Sequence, residues 1–450
     1  MKVGVIGGGS YLWAYGLIRQ FVESSHLADA ELVLMDINPT ALDLVAAAGQ
    51  ATIQASGSPL RLRSTLQMEE ALDGADFVVV SISTGGLDAM AHDLAIPEDF
   101  GILHTVGDTV GPGGWLRAVR NIPVFHSLAE AMSRLCPQAW MLNVTNPLTV
   151  LTRVPHKTFG IRSIGMCPGV EGHARTLAGL AGFDDKSRLD YSVTGIDHGS
   201  WFTSLYADGV DVLQRLEEMG YRRSDGLLPG EVDTIDPKAG HASTRAGFAV
   251  WREIGYMPSL NDRHTVENWP WFVARDSATD DLPFSLVRTS VEERRQQLAK
   301  REGDLQDLVS AEDPQRLASL GHGDDPLVTV MEALSGHGDF LWGSNYRNIG
   351  QIPGFPEEAV VETRCQFDAA GVHPLSSPMP GVLQSLVLPH VLRQEAIIDI
   401  ALEGTFDELV ALVMTDPLCC RLRMGETREM VQQMLEATRQ WIRNPRLLEF

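Results

Sequence analysis

A glycine-rich turn between an apolar strand and a helix opens the chain, and few folds accommodate it. Lys2–Ile6 is an apolar, β-branched run. Gly7-Gly8-Gly9-Ser10 follows, then the helical pattern Tyr11–Val22. Strand, glycine turn and helix together predict a dinucleotide-binding unit. The glycines permit the tight turn, and the helix N-terminus faces a pyrophosphate. Leu12 stands where the third glycine of G-x-G-x-x-G would fall. Glu31–Met35 predicts a second strand ending in Asp36, which is placed to bind a ribose hydroxyl. The turn and Asp36 are therefore the expected contacts to a dinucleotide. The plainer alternative is a glycine turn followed by an N-cap aspartate.

The strand pattern continues. Ala75–Ile82 is a continuous apolar run, as a buried parallel strand requires, and ends in Ser83-Thr84-Gly85-Gly86. Ala139–Val144 ends in Thr145-Asn146-Pro147. Open α/β sheets bind ligands at the carboxyl ends of their strands, so Thr84, Asn143 and Asn146 become candidate contacts. Capping or turn formation is the alternative for either asparagine. His104–Gly114 is too glycine-rich for a packed element and is expected to line the cleft. Arg117 and Arg120 follow at helical spacing, on a solvated face or an anion-binding one. Strands and helices alternate up to Ile196. The prediction is α/β: residues 1–196 form a Rossmann-like, doubly wound parallel sheet, and 197–450 an α+β substrate-binding and oligomerisation domain.

Two further apolar runs, Ile161–Met166 and Tyr191–Ile196, lead into Cys167 and His198. If the runs are neighbouring strands, both side chains emerge at one sheet edge. A thiolate and an imidazole suit a borderline transition metal, and two protein ligands leave positions open for catalysis. The alternative is a buried free cysteine and a hydrogen-bonded histidine.

Composition narrows the partners. Of 450 residues, 44% are hydrophobic and 21% charged, which is ordinary for a globular enzyme. The formal net charge of −23 repels phosphate backbones and anionic lipid, so neither nucleic acid nor membrane is an expected partner. Five scattered cysteines and no signal peptide before the first strand predict a reducing, cytoplasmic setting.

After Trp201 helices dominate, at 213–219, 290–308, 326–334, 383–401 and 406–413, with a strand at 359–363. Gly255–Glu267 carries Tyr256, Asp262, Arg263, His264 and Glu267 in one short segment. It is expected to be a lid over a polar substrate, or else a solvated loop.

In sum of motifs the chain resembles the family 4 glycoside hydrolases, the NAD- and metal-dependent glycosidases. The resemblance rests on the glycine turn, Asp36, T-V-G-D-T-V-G-P-G-G-W-L-R-A-V-R at Thr105–Arg120 and N-V-T-N-P at Asn143–Pro147. It extends to Cys167, Gly195–His198, G-S-N-Y-R-N-I-G-Q-I-P from Gly343, V-V-E-T at Val360–Thr363, G-V-H-P-L from Gly371 and T-D-P-L from Thr415. Asp262, Arg263, His264 and Glu267 match a D-R-H-x-x-E pattern of the branch acting on uronic-acid glycosides, the α-glucuronidase and α-galacturonidase branch. Two positions depart from the family pattern. Pro168 follows Cys167 where the family has His, Asn or Asp, and proline can neither donate a proton nor bind a hydroxyl. Asp197 precedes His198 where the family has Asn. Glu171 and His173 lie close to Pro168 and are the alternatives for the missing acid, although a place on a helix surface is expected for both.

The resemblance implies a redox-elimination route, an exception to two-carboxylate glycoside hydrolysis. NAD oxidises the sugar C3 hydroxyl, a base removes the acidified C2 proton, the glycosidic bond eliminates, water adds and the hydride returns. A divalent metal, usually Mn²⁺, stabilises the enolate. Carried over, Gly7, Gly9, Ser10 and Asp36 hold NAD, Cys167 and His198 hold the metal, and Asn146 sits between cofactor and sugar. Asp262 is the base, with Tyr256 as alternative, and Arg263 and His264 bind the sugar. The family's habit implies a homodimer or homotetramer. Two other readings stay open: a dehydrogenase of the lactate/malate type, and a catalytically altered NAD-binding homologue.

Overall fold

The computed structural model describes residues 1–11, 13–224, 243–274, 282–310 and 325–450. Leu12, the residue at the missing third glycine, lies outside them.

Six strands form the first part of the sheet: β1 (Lys2–Ile6), β2 (Glu31–Met35), β3 (Arg61–Thr65), β4 (Phe77–Val80), β5 (Trp140–Asn143) and β6 (Arg162–Met166). All their pairings are parallel, and the order β6-β5-β4-β1-β2-β3 is that of a doubly wound sheet. The period of two is visible in the packing. Leu32 and Leu34 enter the apolar cluster on one face, Val33 and Met35 the cluster on the other. Burial on both faces explains why the strands are continuous apolar runs.

A second sheet is antiparallel. It comprises β7 (Leu189–Thr194), β8 (Trp201–Ala207), β9 (Val210–Asp211) and β10 (Met257–Pro258). It packs its own core with the helix Gly169–Leu180.

Three late strands return to the first sheet. β11 (Phe340–Arg347) lies antiparallel beside β6, followed by β12 (Val360–Asp368) and β13 (Gly371–Pro374). The first sheet is therefore nine-stranded and drawn from both sides of the boundary expected at residue 196. The helices expected in the second half occur as Val212–Met219, Val291–Ser310, Leu327–Leu334, Gly381–Glu403 and Phe406–Met414. Among the described residues no helix is long and apolar enough to cross a membrane.

The stretch 104–114 corrects an expectation. Residues 104–110 do form a loop that brings Asp108 and Thr109 to His198, but Gly111 begins the helix Gly111–Leu135. Its glycines serve close packing, since a Cβ on Gly114 would lie 2.5 Å from the Thr109 carbonyl carbon. Arg120, on the same helix, is neither solvated nor anion-binding. Its guanidinium is buried in a two-pronged ion pair with Asp93.

Candidate active site

The glycine turn has the geometry a dinucleotide needs. Gly7 has φ of 92°, and a Cβ there would lie 1.9 Å from the Ser81 carbonyl oxygen. Asp36 accepts hydrogen bonds from the Gly9 N–H at 2.9 Å and the Asn38 N–H at 2.9 Å. Both bonds fix its carboxylate at the end of β2, only partly buried. The Ser10 hydroxyl oxygen accepts from the Trp13 N–H at 3.3 Å, next to the helix Ala14–Glu23. Thr84, after β4, donates its N–H to the Asn121 side chain.

Asn146 and Asn143 part company. Asn146 is partly buried after β5, and its amide donates to Asp108 Oδ2 at 3.2 Å. Asn143 is fully buried. Its oxygen accepts from the Thr145 N–H, and its amide nitrogen reaches Thr145, Leu148 and Thr152. Every polar valence of Asn143 is spent on bracing the turn, so the expected substrate contact is corrected to a structural one.

Cys167 and His198 do meet, though not as ends of neighbouring strands. β6 belongs to the first sheet and β7 to the second. They are brought together by an isolated antiparallel bridge between Gly195 and Glu362 of β12. His198 then takes φ of 61°, an uncommon value for a side-chain-bearing residue, and turns back toward the edge of β6. The Asn268 amide holds its carbonyl at 2.6 Å.

The two ring nitrogens of His198 face different groups. Nδ1 lies 2.6 Å from Thr109 Oγ1. The Thr109 hydroxyl donates to Asp108 Oδ1 at 3.0 Å, so its oxygen can only accept from Nδ1–H. Nε2 is thereby left as a bare acceptor, the form a metal binds. It lies 3.8 Å from Cys167 Sγ and 3.6 Å from Asp197 Oδ2. Cys167, Asp197 and His198 each offer a ligand atom within 4.8 Å of the others. Asp108, His198 and His264 form a second such group on the other side of the ring.

The electrostatics follow from burial. Burial, then the carboxylates of Asp197 and Glu362, push the Cys167 thiol well up. A cation binding there must displace its proton. Burial, then Glu362 and Asp108, likewise raise Asp197. Burial pushes Glu362 up to about 7, although Ser200 and Asn345 donate to it. For Asp108 burial raises the carboxyl, but His198, His264 and Arg117 together hold it below the usual carboxylate range.

The segment after β10 divides too. The ring of His264 lies 3.8 Å from that of His198, tilted by 34°, and Arg263 beside it is half-buried. Glu267 accepts from the N–H groups of Val106 and Gly107 and contacts His104 Nδ1, fastening the glycine stretch. Asp262 is fully buried elsewhere. It accepts from the N–H groups of Ala246 and Gly247 and from the Ser243 hydroxyl, at the start of the helix Arg245–Ile254. A carboxylate so occupied is a helix cap, which corrects its expected role as base. Tyr256 packs half-buried on the main apolar core and makes no hydrogen bond to the His198 group among the described residues. Glu171 pairs with Arg175 on the surface of its helix at 2.8 Å, as expected. His173 does not: it is buried and stacked on Phe202.

Asp108, Thr109 and Glu362 were not singled out by sequence reasoning. Asp108 and Thr109 lie inside a glycine-rich stretch, and Glu362 inside a strand. Only their motifs marked them.

A Rossmann-type sheet whose carboxyl edge faces a buried thiol–imidazole–carboxylate group defines a class of nucleotide-binding enzyme with a metal-ligating centre. Within that class the chain belongs to the family 4 glycosyl hydrolases. It matches the family model over residues 2–182 and the model of the family's C-terminal domain over residues 193–419. It is 31% identical to an alpha-galacturonidase of Thermoanaerobacterium saccharolyticum, covering 98% of this chain and 96% of the relative. Its fold superposes on the crystal structure of lplD, a candidate glucosidase of Bacillus subtilis, with TM-score 0.85 at 29% identity over 97% of this chain and 99% of that one. A 6-phospho-alpha-glucosidase from gut microorganisms, solved with NAD and Mn²⁺, gives TM-score 0.80 at 18% identity over 98% and 99%.

Proposed function

We propose that this glycosidase cleaves a uronic-acid glycoside by the redox-elimination route, using NAD and a divalent metal such as Mn²⁺. The residues fit both groups. The Gly7 position has no room for a side chain, and Asp36 is held with its carboxylate fixed at the end of β2. Cys167 and His198 supply sulfur and nitrogen donors of the kind a transition metal takes, and Nε2 is kept unprotonated by the Thr109 bond. When bound, NAD supplies a reversible hydride acceptor and the cation a Lewis acid.

The chain's own residues do the rest. Gly7, Gly9, Ser10 and Asp36 hold the dinucleotide, with Thr84 lining the same edge. Cys167 and His198 hold the cation. Asn146 would sit between cofactor and sugar, and its amide donates to Asp108. Asp108, kept ionised and hydrogen-bonded by Thr109 and Asn146, orients the Thr109–His198 pair at this edge. Arg263 and His264 form the anionic-sugar contact. His264 is the observation that carries this reading, because its ring lies against His198 and so brings the D-R-H segment to the metal group. The similarity to an alpha-galacturonidase supports the same substrate class.

Two measurements test the reading. Wild-type enzyme should turn over an aryl galacturonide in preference to the neutral galactoside, and Arg263→Ala should remove the preference. A bidentate Arg–carboxylate contact is worth roughly 1.5–3 kcal/mol, or about ten- to hundredfold in kcat/KM. Hydrolysis in D₂O should place deuterium at C2 of the product and need NAD without net NADH. Equal turnover of both glycosides would refute the uronate reading. Product without C2 deuterium and without NAD would refute the route.

A further inference from the structure

Asp197 is the most anomalous polar residue in the site. It is fully buried, yet no N–H or hydroxyl among the described residues reaches either carboxylate oxygen, and its close neighbour is the Cys167 thiol. Buried carboxylates are ordinarily paired, hydrogen-bonded or bound to a cation. Its ion-pair contact among the described residues is His198, at 3.6 Å from Nε2. That nitrogen is the face of the ring turned away from its Thr109 bond, so it has no proton to offer.

The spacing points to something between them. Oδ2 to Nε2 is 3.6 Å, beyond a good hydrogen bond from nitrogen to oxygen, and Sγ to Nε2 is 3.8 Å. Metal–ligand bonds of roughly 2.0–2.4 Å put neighbouring ligand atoms about 3–4 Å apart. The observed separations are the edges of such a polyhedron.

We infer that Asp197 is a third protein ligand to the divalent metal, completing a sulfur–nitrogen–oxygen set with Cys167 and His198. This rests on the metal site proposed above and goes beyond it. Thiolate and carboxylate together neutralise a divalent ion, whereas an asparagine in place of Asp197 leaves one positive charge. The substituted residue thus trades Lewis acidity for affinity. The remaining positions on the metal stay open to sugar oxygens.

The test is Mn²⁺ binding to the full chain, stripped with EDTA and titrated while the EPR signal of free Mn²⁺ is followed. Wild type should bind one ion, and Asp197→Asn should bind it at least about tenfold more weakly, the loss that even indirect ligand partners produce. Cys167→Ser serves as the control for the site itself. Asp197→Asn binding like wild type, with Cys167→Ser defective, would overturn this inference alone. Wild type binding no Mn²⁺ would overturn the proposed metal site and the inference with it. Folding is followed separately by melting in EDTA. There Asp197→Asn should melt no lower than wild type, because it replaces a poorly partnered buried carboxyl with a neutral side chain of the same shape. A lower melting temperature would make Asp197 a support of the fold and would overturn the assignment.

Discussion

The hydroxyl of Thr109 lies 2.6 Å from Nδ1 of His198. That contact selects the tautomer that leaves Nε2 free. Thr109→Val keeps the shape and removes the bond. Mn²⁺ affinity should fall about ten- to hundredfold, as for other outer partners of histidine ligands. Thr109→Ser should restore most of it. Isothermal titration of the stripped protein measures both, and wild-type affinity in the valine variant would rule out the relay.

Asp262 should behave as a cap. Asp262→Ala strips acceptors from Ser243, Ala246 and Gly247 at once. The expected cost is about 2 kcal/mol or more, read as a lower urea midpoint. Mn²⁺ affinity should change little. A variant of normal stability that has lost only turnover would return Asp262 to the chemistry.

Asp36 should select NAD over NADP. Its carboxylate is fixed by the Gly9 and Asn38 N–H groups and repels a 2′-phosphate. Fluorescence titration should show NAD binding more tightly in wild type. Asp36→Ala should narrow the difference, and tighter NADP binding in wild type would contradict the assignment.

His173 should make the protein acid-sensitive. Burial holds its pKa down to about 3 from 6.5, so it is neutral when folded. The unfolded chain binds the proton first. The stability it contributes is complete above pH 6.5 and drains away as pH falls toward about 3. Between pH 6.5 and pH 5 the loss is about 2 kcal/mol. His173→Leu should flatten that part of the urea-midpoint profile, and an unchanged slope would show that other groups cause it.

The local parts of this fold were legible in the sequence, and the long-range ones were not. The turn at Gly7 and the carboxylate of Asp36 were marked by a local strand–turn–helix pattern, although Ser81 and Gly9 complete their settings. Cys167 and His198 were visible because each follows an apolar run. How they meet was not visible, since Gly195 pairs with Glu362 and not with the β6 strand. Asp262 misled for a related reason. A carboxylate in a polar segment looks reactive until a helix N-terminus is found against it. Asn143 and Asn146 have the same local sequence signal, and only the contacts of their amides tell them apart. Asp197 was seen as a departure from a pattern, while its burial and poorly partnered oxygens belong to the three-dimensional structure.

Synthesis runs from one end of the chain to the other, and the bridge between Gly195 and Glu362 makes this order matter. Cys167 leaves the ribosome well before the strand that fixes His198 exists. Thr109 and Asn268, which also hold His198, precede Glu362 in the chain, so the bridge is the last of these anchors to be made. A chain ending before β12 would hold Cys167, Asp197 and His198 but lack the strand to which Gly195 is bridged.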